Sequence, residues 1–439
     1  MPDETTAESA PVVPIYRNRD FMFLWVAQAV SQVAQNAINF GLLVLVQERT
    51  NSTTHMAVAV LSFILPGVIF GILAGVLVDR SEKKTVLLTT NLLRAFVVLG
   101  YLVFDQTLGL IYVVTFVFSV ISQFFAPAEA AAIPMLLRKD QLIAANSLFN
   151  ITFNVAQLVG MVLMAPLMIK LFGTGALFGS ICVLYVIAAA LVANLPKDTR
   201  PVAAILPDER PRMIIGVWRE IHEGWRILTA DMTSTLAMAH LTLASTMMPL
   251  VAVLGPNFVV NVMKLRSEDV SLVFFPAGAG MLLGTVMTSR LARRFGKDQL
   301  VVAGLAVMGM ALFGMAGAKV GGDYLLHNIL GRFMDVEAWP ISLELVSMVM
   351  VLAFFLGIAF ALVNIPAQTT LQERCPSSFR GRIFAVQFTL SSAVSIVPLL
   401  FVGGIADVIG VNKTIALVAI LILAIMAGTI RLAPEGARD

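Results

Sequence analysis

Gly75-Val76-Leu77-Val78-Asp79-Arg80-Ser81-Glu82-Lys83-Lys84 closes one very apolar stretch and opens the next. Asp79 followed by three bases within six positions cannot sit in hydrocarbon, where uncompensated charge is expensive. The chain must emerge into water here. Short loops rich in Lys and Arg stay on the cytoplasmic side of a membrane, so that water is expected to be cytoplasmic. Each later apolar stretch then crosses back from where the previous one ended.

Composition agrees with a chain that lives in lipid. Of its 439 residues 58% are hydrophobic and 13% charged, against about a quarter charged in a soluble domain. A formal charge of +3, with the bases scattered in loops, argues against a nucleic-acid partner. Cys182, in an apolar stretch, and Cys375, in a basic loop, suggest neither a disulfide framework nor a metal site. The motifs of metallohydrolases and phosphate-binding loops are missing, and no nucleophile has plausible partners. Neither an enzyme nor a cofactor is expected. Residues 1–20 lack the basic and apolar parts of a cleaved signal, so the first long helix is expected to be retained.

A helix needs about 20 apolar residues to cross a bilayer. Twelve such runs are present, near 21–47, 55–78, 85–104, 109–133, 142–169, 174–195, 231–261, 268–292, 299–318, 343–366, 380–406 and 412–432. They are too long and unbroken for barrel strands. With the N-terminus inside, 22 of the 30 Lys+Arg fall in cytoplasmic segments, 7 fall outside, and Arg94 alone lies within a span. That asymmetry predicts cytoplasmic termini at both ends. The organisation expected is a tail (1–20), a six-helix bundle (21–195), a cytoplasmic linker (196–230), a second six-helix bundle (231–432) and a short tail (433–439). The linker begins rich in Pro and turns amphipathic from Arg212, a pattern that fits an interfacial helix or one packed on the cytoplasmic loops.

The halves read as copies. Leu77-Val-Asp79-Arg80-Ser-Glu82-Lys83 matches Leu291-Ala-Arg293-Arg294-Phe-Gly296-Lys297, and Pro127-Ala-Glu129, read as following span 4, matches Pro366-Ala-Gln368, read as following span 10. An all-α membrane protein of twelve transmembrane helices in two pseudo-twofold-related six-helix bundles is the predicted fold. Such repeats are the architecture of many secondary transporters.

At this point the chain resembles the major facilitator superfamily. The stretch quoted above looks like its signature, through Gly75, Asp79, Arg80, Lys83 and Lys84, with Glu82 in place of the usual second glycine. Phe125-Ala-Pro127-Ala, Ala145-Asn146-Ser147, Glu220 with Glu223-Gly224, and Gln372-Glu-Arg-Cys-Pro376 with Arg380-Gly381-Arg382 resemble the branch of the enterobactin exporter. The resemblance implies a gate in which Asp79 engages the N-terminus of span 11, near Phe379 to Arg382. A carboxylate is favoured at that position by the free N–H groups and the helix dipole; otherwise Asp79 is a solvated acid that only fixes topology. Ala34-Gln35 stands where that branch has Gly-Asp, which removes an obvious proton-titrating acid. The antiporter motif of span 5 is reduced to Gly160 and Ala165-Pro166.

Two polar stripes recur at helical period. Span 1 carries Gln28, Gln32, Gln35, Asn36 and Asn39, and span 5 carries Asn146, Asn150, Asn154 and Gln157. Amides facing lipid would lack partners, so both stripes should turn toward a wet cavity or a helix contact. Two stripes in one half favour a cavity, and neutral amides suit an uncharged or zwitterionic substrate. Arg94, about 14 Å into span 3 at 1.5 Å per residue, is expected to pair with Glu129, to snorkel, or to serve function. His240 is the histidine set deep in a span; it either titrates with a coupling proton or is simply hydrogen-bonded. The loop 319–342 is a linker or a lid.

The reading is a transporter in the inner (plasma) membrane, working as a monomer by alternating access. It moves a small amphipathic molecule, with efflux implied by the resemblance. An ion gradient, with the proton as candidate, drives it. The rivals are a lysophospholipid or other lipid transporter, and a transporter-derived sensor or scaffold that no longer cycles.

Overall fold

The computed structural model describes residues 15–104, 107–138, 141–196, 232–292, 294–318, 341–374 and 380–432. The amphipathic part of the linker, Phe379 and most of the 319–342 loop therefore lie outside the described residues. What is described is helical, with no strand among those residues.

The first half comprises α1 (Arg19–Thr50), α2 (Thr53–Asp79), α3 (Lys83–Val103), α4 (Leu108–Leu136), α5 (Leu142–Gln157) and α6 (Ala165–Ala193). The second comprises α7 (Met232–Asn261), α8 (Ser271–Leu291), α9 (Lys297–Ala316), α10 (Ile341–Arg374), α11 (Arg380–Ile409) and α12 (Val411–Leu432). Between α5 and α6 the chain runs through a π-helical stretch, Leu158–Met164. Eleven stretches are long and apolar enough to cross a membrane, because 144–193 counts as one of 50 residues. At 1.5 Å per residue that stretch would extend about 75 Å, more than twice a bilayer core. It breaks at Gly173 (φ 84°, ψ 169°), where only glycine is comfortable. The break falls in the gap predicted between spans 5 and 6. Pro127 and Pro366, expected after spans 4 and 10, lie instead inside helices that run on past them.

Local chemistry sets the helix ends. Asn18 caps α1 by accepting from Phe21 N (3.1 Å), and its amide donates to the Leu136 carbonyl at the end of α4 (2.8 Å). Two residues suffice to turn α1 into α2, because Asn51 adopts the left-handed conformation (φ 47°) that Asn tolerates better than most side chains.

Apolar side chains lie outside and polar ones inside, the reverse of a soluble helix. On α3, Leu92, Leu93, Phe96 and Leu99 are exposed, while Asn91, Arg94 and Tyr101 are buried. The two halves repeat the same pairings. α2 packs on α4 as α8 does on α10, α3 packs on α4 and α6 as α9 does on α10 and α12, and α1 packs on α5 as α7 does on α11. The α8–α10 seam brings backbones together through glycines. A Cβ on Gly357 would run into the Ala277 carbonyl, and one on Gly280 into that of Phe354. Small residues allow such close approach in membranes.

Overpacking costs about 1–3 kcal/mol, so Gly357→Ala should lower the thermal midpoint of the purified protein by several degrees. Gly428→Ala, whose methyl meets nothing within 4 Å, should leave the midpoint unchanged or raise it. Scanning fluorimetry of both variants in detergent checks this, and equal midpoints would contradict the seam.

Candidate transport site

Between the halves lies a cavity of about 300 Å³, at the lower end of the range for small-molecule pockets. Its walls differ. From α1 and α5 come Asn36, Asn39, Asn154 and Gln157. The opposing half supplies Met247 and Met248 of α7, Phe274 and Met281 of α8, Met308 of α9 and Phe360 of α10, and α2 adds Val60 and Phe63. The Asn36 side-chain nitrogen donates to the Gln32 carbonyl (2.8 Å), and Asn39 Oδ1 accepts from Gln35 Nε2 (3.4 Å). The Asn36 carbonyl oxygen and the Asn39 amide N–H groups are thus left to offer the cavity.

The polar wall is held by a close helix contact. Gly160, in the π-helical stretch, lies so near α1 that a Cβ would strike the Val33 carbonyl and stand 2.9 Å from Asn36 Cβ. π-Helical turns inside α-helices are frequent at functional sites. This gives Gly160, the remnant of a degraded motif, a structural reason of its own.

Several other predicted residues lie elsewhere. Gln35 turns to α4, where its Oε1 accepts from Ser122 Oγ (3.4 Å). Gln28 is buried inside the first half, with its Oε1 lacking a protein partner among the described residues. The Gln32 side chain does not line the cavity, and that of Asn150 lies outside the described residues. His240 is not in the central cavity. It sits seven residues before Met247, about 10 Å along α7 at 1.5 Å per residue, in a separate crevice of about 410 Å³ with Asp298 and Thr370. Its Nε2 meets Thr429 Oγ1 at 2.9 Å.

Arg94 is 3% exposed. Its Nη2 donates to the Ser122 carbonyl (3.3 Å), and the guanidinium lies over Phe125 (4.5 Å) and Tyr185 (5.6 Å). Glu129 is close enough for its charge to act on Arg94, yet the two are not in ion-pair contact: Glu129 Oε1 and Arg94 Nε both lack a hydrogen-bond partner among the described residues. Direct pairing, one of the arrangements expected, is therefore not the one observed. Aromatic faces take up the guanidinium instead, as cation–π contacts do.

The signature stretch is tied down within its own half. Asp79 is the last residue of α2 and is exposed, and Arg80 is the C-cap. Lys83 folds back to donate to the carbonyls of Val78 (2.8 Å), Asp79 (2.9 Å) and Ser81 (2.9 Å). This satisfies carbonyls that a helix end leaves bare. Lys84 reaches the Leu195 carbonyl beyond α6. Glu82 has φ −65° and precedes α3 as its N-cap, so this turn needs no glycine there. The side chains of Arg380 and Arg382, opposite Asp79 in the predicted gate, lie outside the described residues.

The far ends of the same two helices form a contact the sequence reading missed. Asp407, near the end of α11, accepts four hydrogen bonds at the start of α2. The donors are Ser52 Oγ (2.6 Å), Thr53 N (2.7 Å), Thr54 N (3.0 Å) and Thr54 Oγ1 (2.7 Å). A carboxylate on free N–H groups at a helix N-terminus is well matched in charge. Four residues earlier Gly403 lets the helices touch, since a Cβ there would stand 2.8 Å from Ala57 Cβ and 2.9 Å from the Thr53 carbonyl. Beside this contact, Asn261 of α7 donates to Asn51 at 3.0 Å. A signal existed: Gly403-x-x-x-Asp407 repeats the spacing of Gly75-x-x-x-Asp79.

Comparison with known proteins agrees with this architecture. The Major Facilitator Superfamily sequence profile matches residues 24–398. The MFS-type transporter YfiS of Bacillus subtilis is 25% identical over 429 residues, covering 95% of this chain and 94% of its own. Macrolide efflux protein A of Streptococcus pyogenes is 25% identical over 415 residues, covering 92% and 94%. The multidrug efflux pump Tap of Mycolicibacterium fortuitum is 25% identical, covering 84% and 85%. Among solved structures, the nucleoside transporter NupG superposes with a TM-score of 0.72 at 11% identity, covering 94% of this chain and 98% of that one. A bacterial homologue of the iron transporter ferroportin gives 0.65 at 14% identity, covering 96% and 100%. These likenesses do not single out the enterobactin-exporter branch. With recurring helix pairings in two halves around a shared cavity and a family match along most of its length, the chain belongs to the Major Facilitator Superfamily, as a multi-pass membrane transporter of small molecules.

Proposed function

We propose that the protein exports small amphipathic molecules across the cytoplasmic membrane by alternating access, using an ion gradient. The observation that carries this reading is the central cavity, mostly apolar and with its four amides all on the first half. A ligand with a polar and an apolar side would touch both halves at once, so its binding would be felt by their relative motion. The likeness to macrolide efflux protein A and to the efflux pump Tap supports export over lipid movement or a non-cycling sensor. The excess of bases at the Asp79 end supports a cytoplasmic placement for that end and for both termini.

In this reading α2 and α11 carry the gate at both ends. Asp407 at the N-terminus of α2 seals the outer side in the conformer described. Asp79, one residue from the cytoplasmic turn, takes the matching role at the N-terminus of α11 when the cytoplasmic side closes. One carboxylate contact breaks as the other forms, which makes the helix pair a two-state element.

Hydrogen bonds to a charged group contribute about 1.5–3 kcal/mol, and about 1.4 kcal/mol is tenfold in an equilibrium. Asp407→Ala should therefore shift the population toward outward-open by about tenfold or more. Spin labels at Thr107 and Lys264, both exposed at the outer ends, should report a longer distance in the variant; unchanged distances would remove the outer seal. Asp79→Asn should slow export with membrane insertion intact, and wild-type rates in that variant would remove the cytoplasmic gate. Direction is tested with everted vesicles. Energised accumulation of an amphipathic dye inside them supports export, and accumulation only in right-side-out vesicles would refute it.

A further inference from the structure

We infer that the transported molecules are uncharged, and that they bind in one orientation, with a hydrogen-bonding group against α1 and α5 and an apolar body against α7 and α8. This deepens the export reading and rests on it for the link from binding to transport. Among the described residues that line the central cavity, none is ionisable. A cation entering it would shed water and meet no counter-charge among the described lining residues, which costs several kcal/mol in an apolar site. An uncharged ligand avoids that penalty and still satisfies the amides.

The hydrogen-bonding side is specified in some detail. Asn36 has a side-chain nitrogen committed to Gln32, and Asn39 has its oxygen committed to Gln35. The cavity is offered an acceptor and, about one helical turn along, a donor. An amide, lactone or hydroxyl-rich edge can meet both. Opposite them Met247 and Phe274 impose no direction. Methionine is unbranched and polarizable and adapts to varied shapes. The account therefore predicts loose selectivity for the apolar body and strict selectivity for charge.

The test uses purified full-length protein in nanodiscs and a matched pair of fluorophores, an uncharged coumarin amide and its quaternary ammonium analogue. The neutral dye should bind at least about 100-fold more tightly than the ammonium dye. Asn154→Asp places a carboxylate on the polar wall at nearly constant volume and should narrow that ratio about tenfold or more. Asn39→Asp serves as a second variant if the first loses monodispersity. Preference for the ammonium dye, equal binding of both dyes, binding of neither, or a ratio unmoved by both substitutions would overturn the inference. Vesicle export of the ammonium dye with the neutral one excluded would also overturn it, while leaving export itself standing.

Discussion

Hydrocarbon offers no hydrogen bonds, and that constraint turns every helix of this protein about its own axis. On α3 it drives Asn91 and Arg94 inward and leaves Phe96 and Leu99 to the lipid. On α1 it holds Gln28 and Ser31 in the first half's interior, with Ser31 Oγ donating to Asn91 at 2.9 Å, and leaves Asn36 and Asn39 to the space between the halves. The hydrophobic effect cannot choose among these rotations, because lipid is as apolar as a leucine-rich core. Polar satisfaction and close glycine contacts decide instead. Gly160 against α1 and Gly357 against α8 show how near two backbones must come once that choice is made.

The same constraint explains why the two halves differ inside while sharing a plan. Several of their helix pairings correspond, yet the first half buries Arg94 and brings the amides Asn36, Asn39, Asn154 and Gln157 to the shared cavity, while the second brings methionine, phenylalanine and aliphatic side chains to it. Duplication fixes the scaffold, and side chains divide the labour. Asp79 and Asp407 follow the same logic at the two ends of one helix pair. Each stands four residues after a glycine near a helix C-terminus, and the Asp407 carboxylate meets a partner helix's N-terminal N–H groups.

Much of the fold was legible because its signals are long. Runs of about twenty apolar residues need no fine detail, and the gap between spans 5 and 6 coincides with Gly173. The site was legible only where it is polar. Asn36, Asn39, Asn154 and Gln157 stand out in apolar helices and do line the cavity. The methionine wall could not be foreseen, since a cavity-lining Met247 reads the same as a core or lipid-facing one. Gln35 was placed by the periodicity of its stripe and His240 by depth, whereas the exact helix rotation and axial position decide what they touch. Asp407 was overlooked because it carries no neighbouring cluster of charge, although its glycine spacing marks it.

The central claim is that the α1 and α5 amides line a water path between two pseudo-equivalent bundles. Substituted-cysteine labelling tests it most directly, in a background with Cys182 and Cys375 replaced. An uncharged, hydrophilic maleimide added from the cytoplasmic side should label Asn36→Cys and Asn154→Cys, and should leave Phe96→Cys and Leu99→Cys untouched. Equal labelling of all four positions, or labelling of the α3 pair alone, would contradict the account.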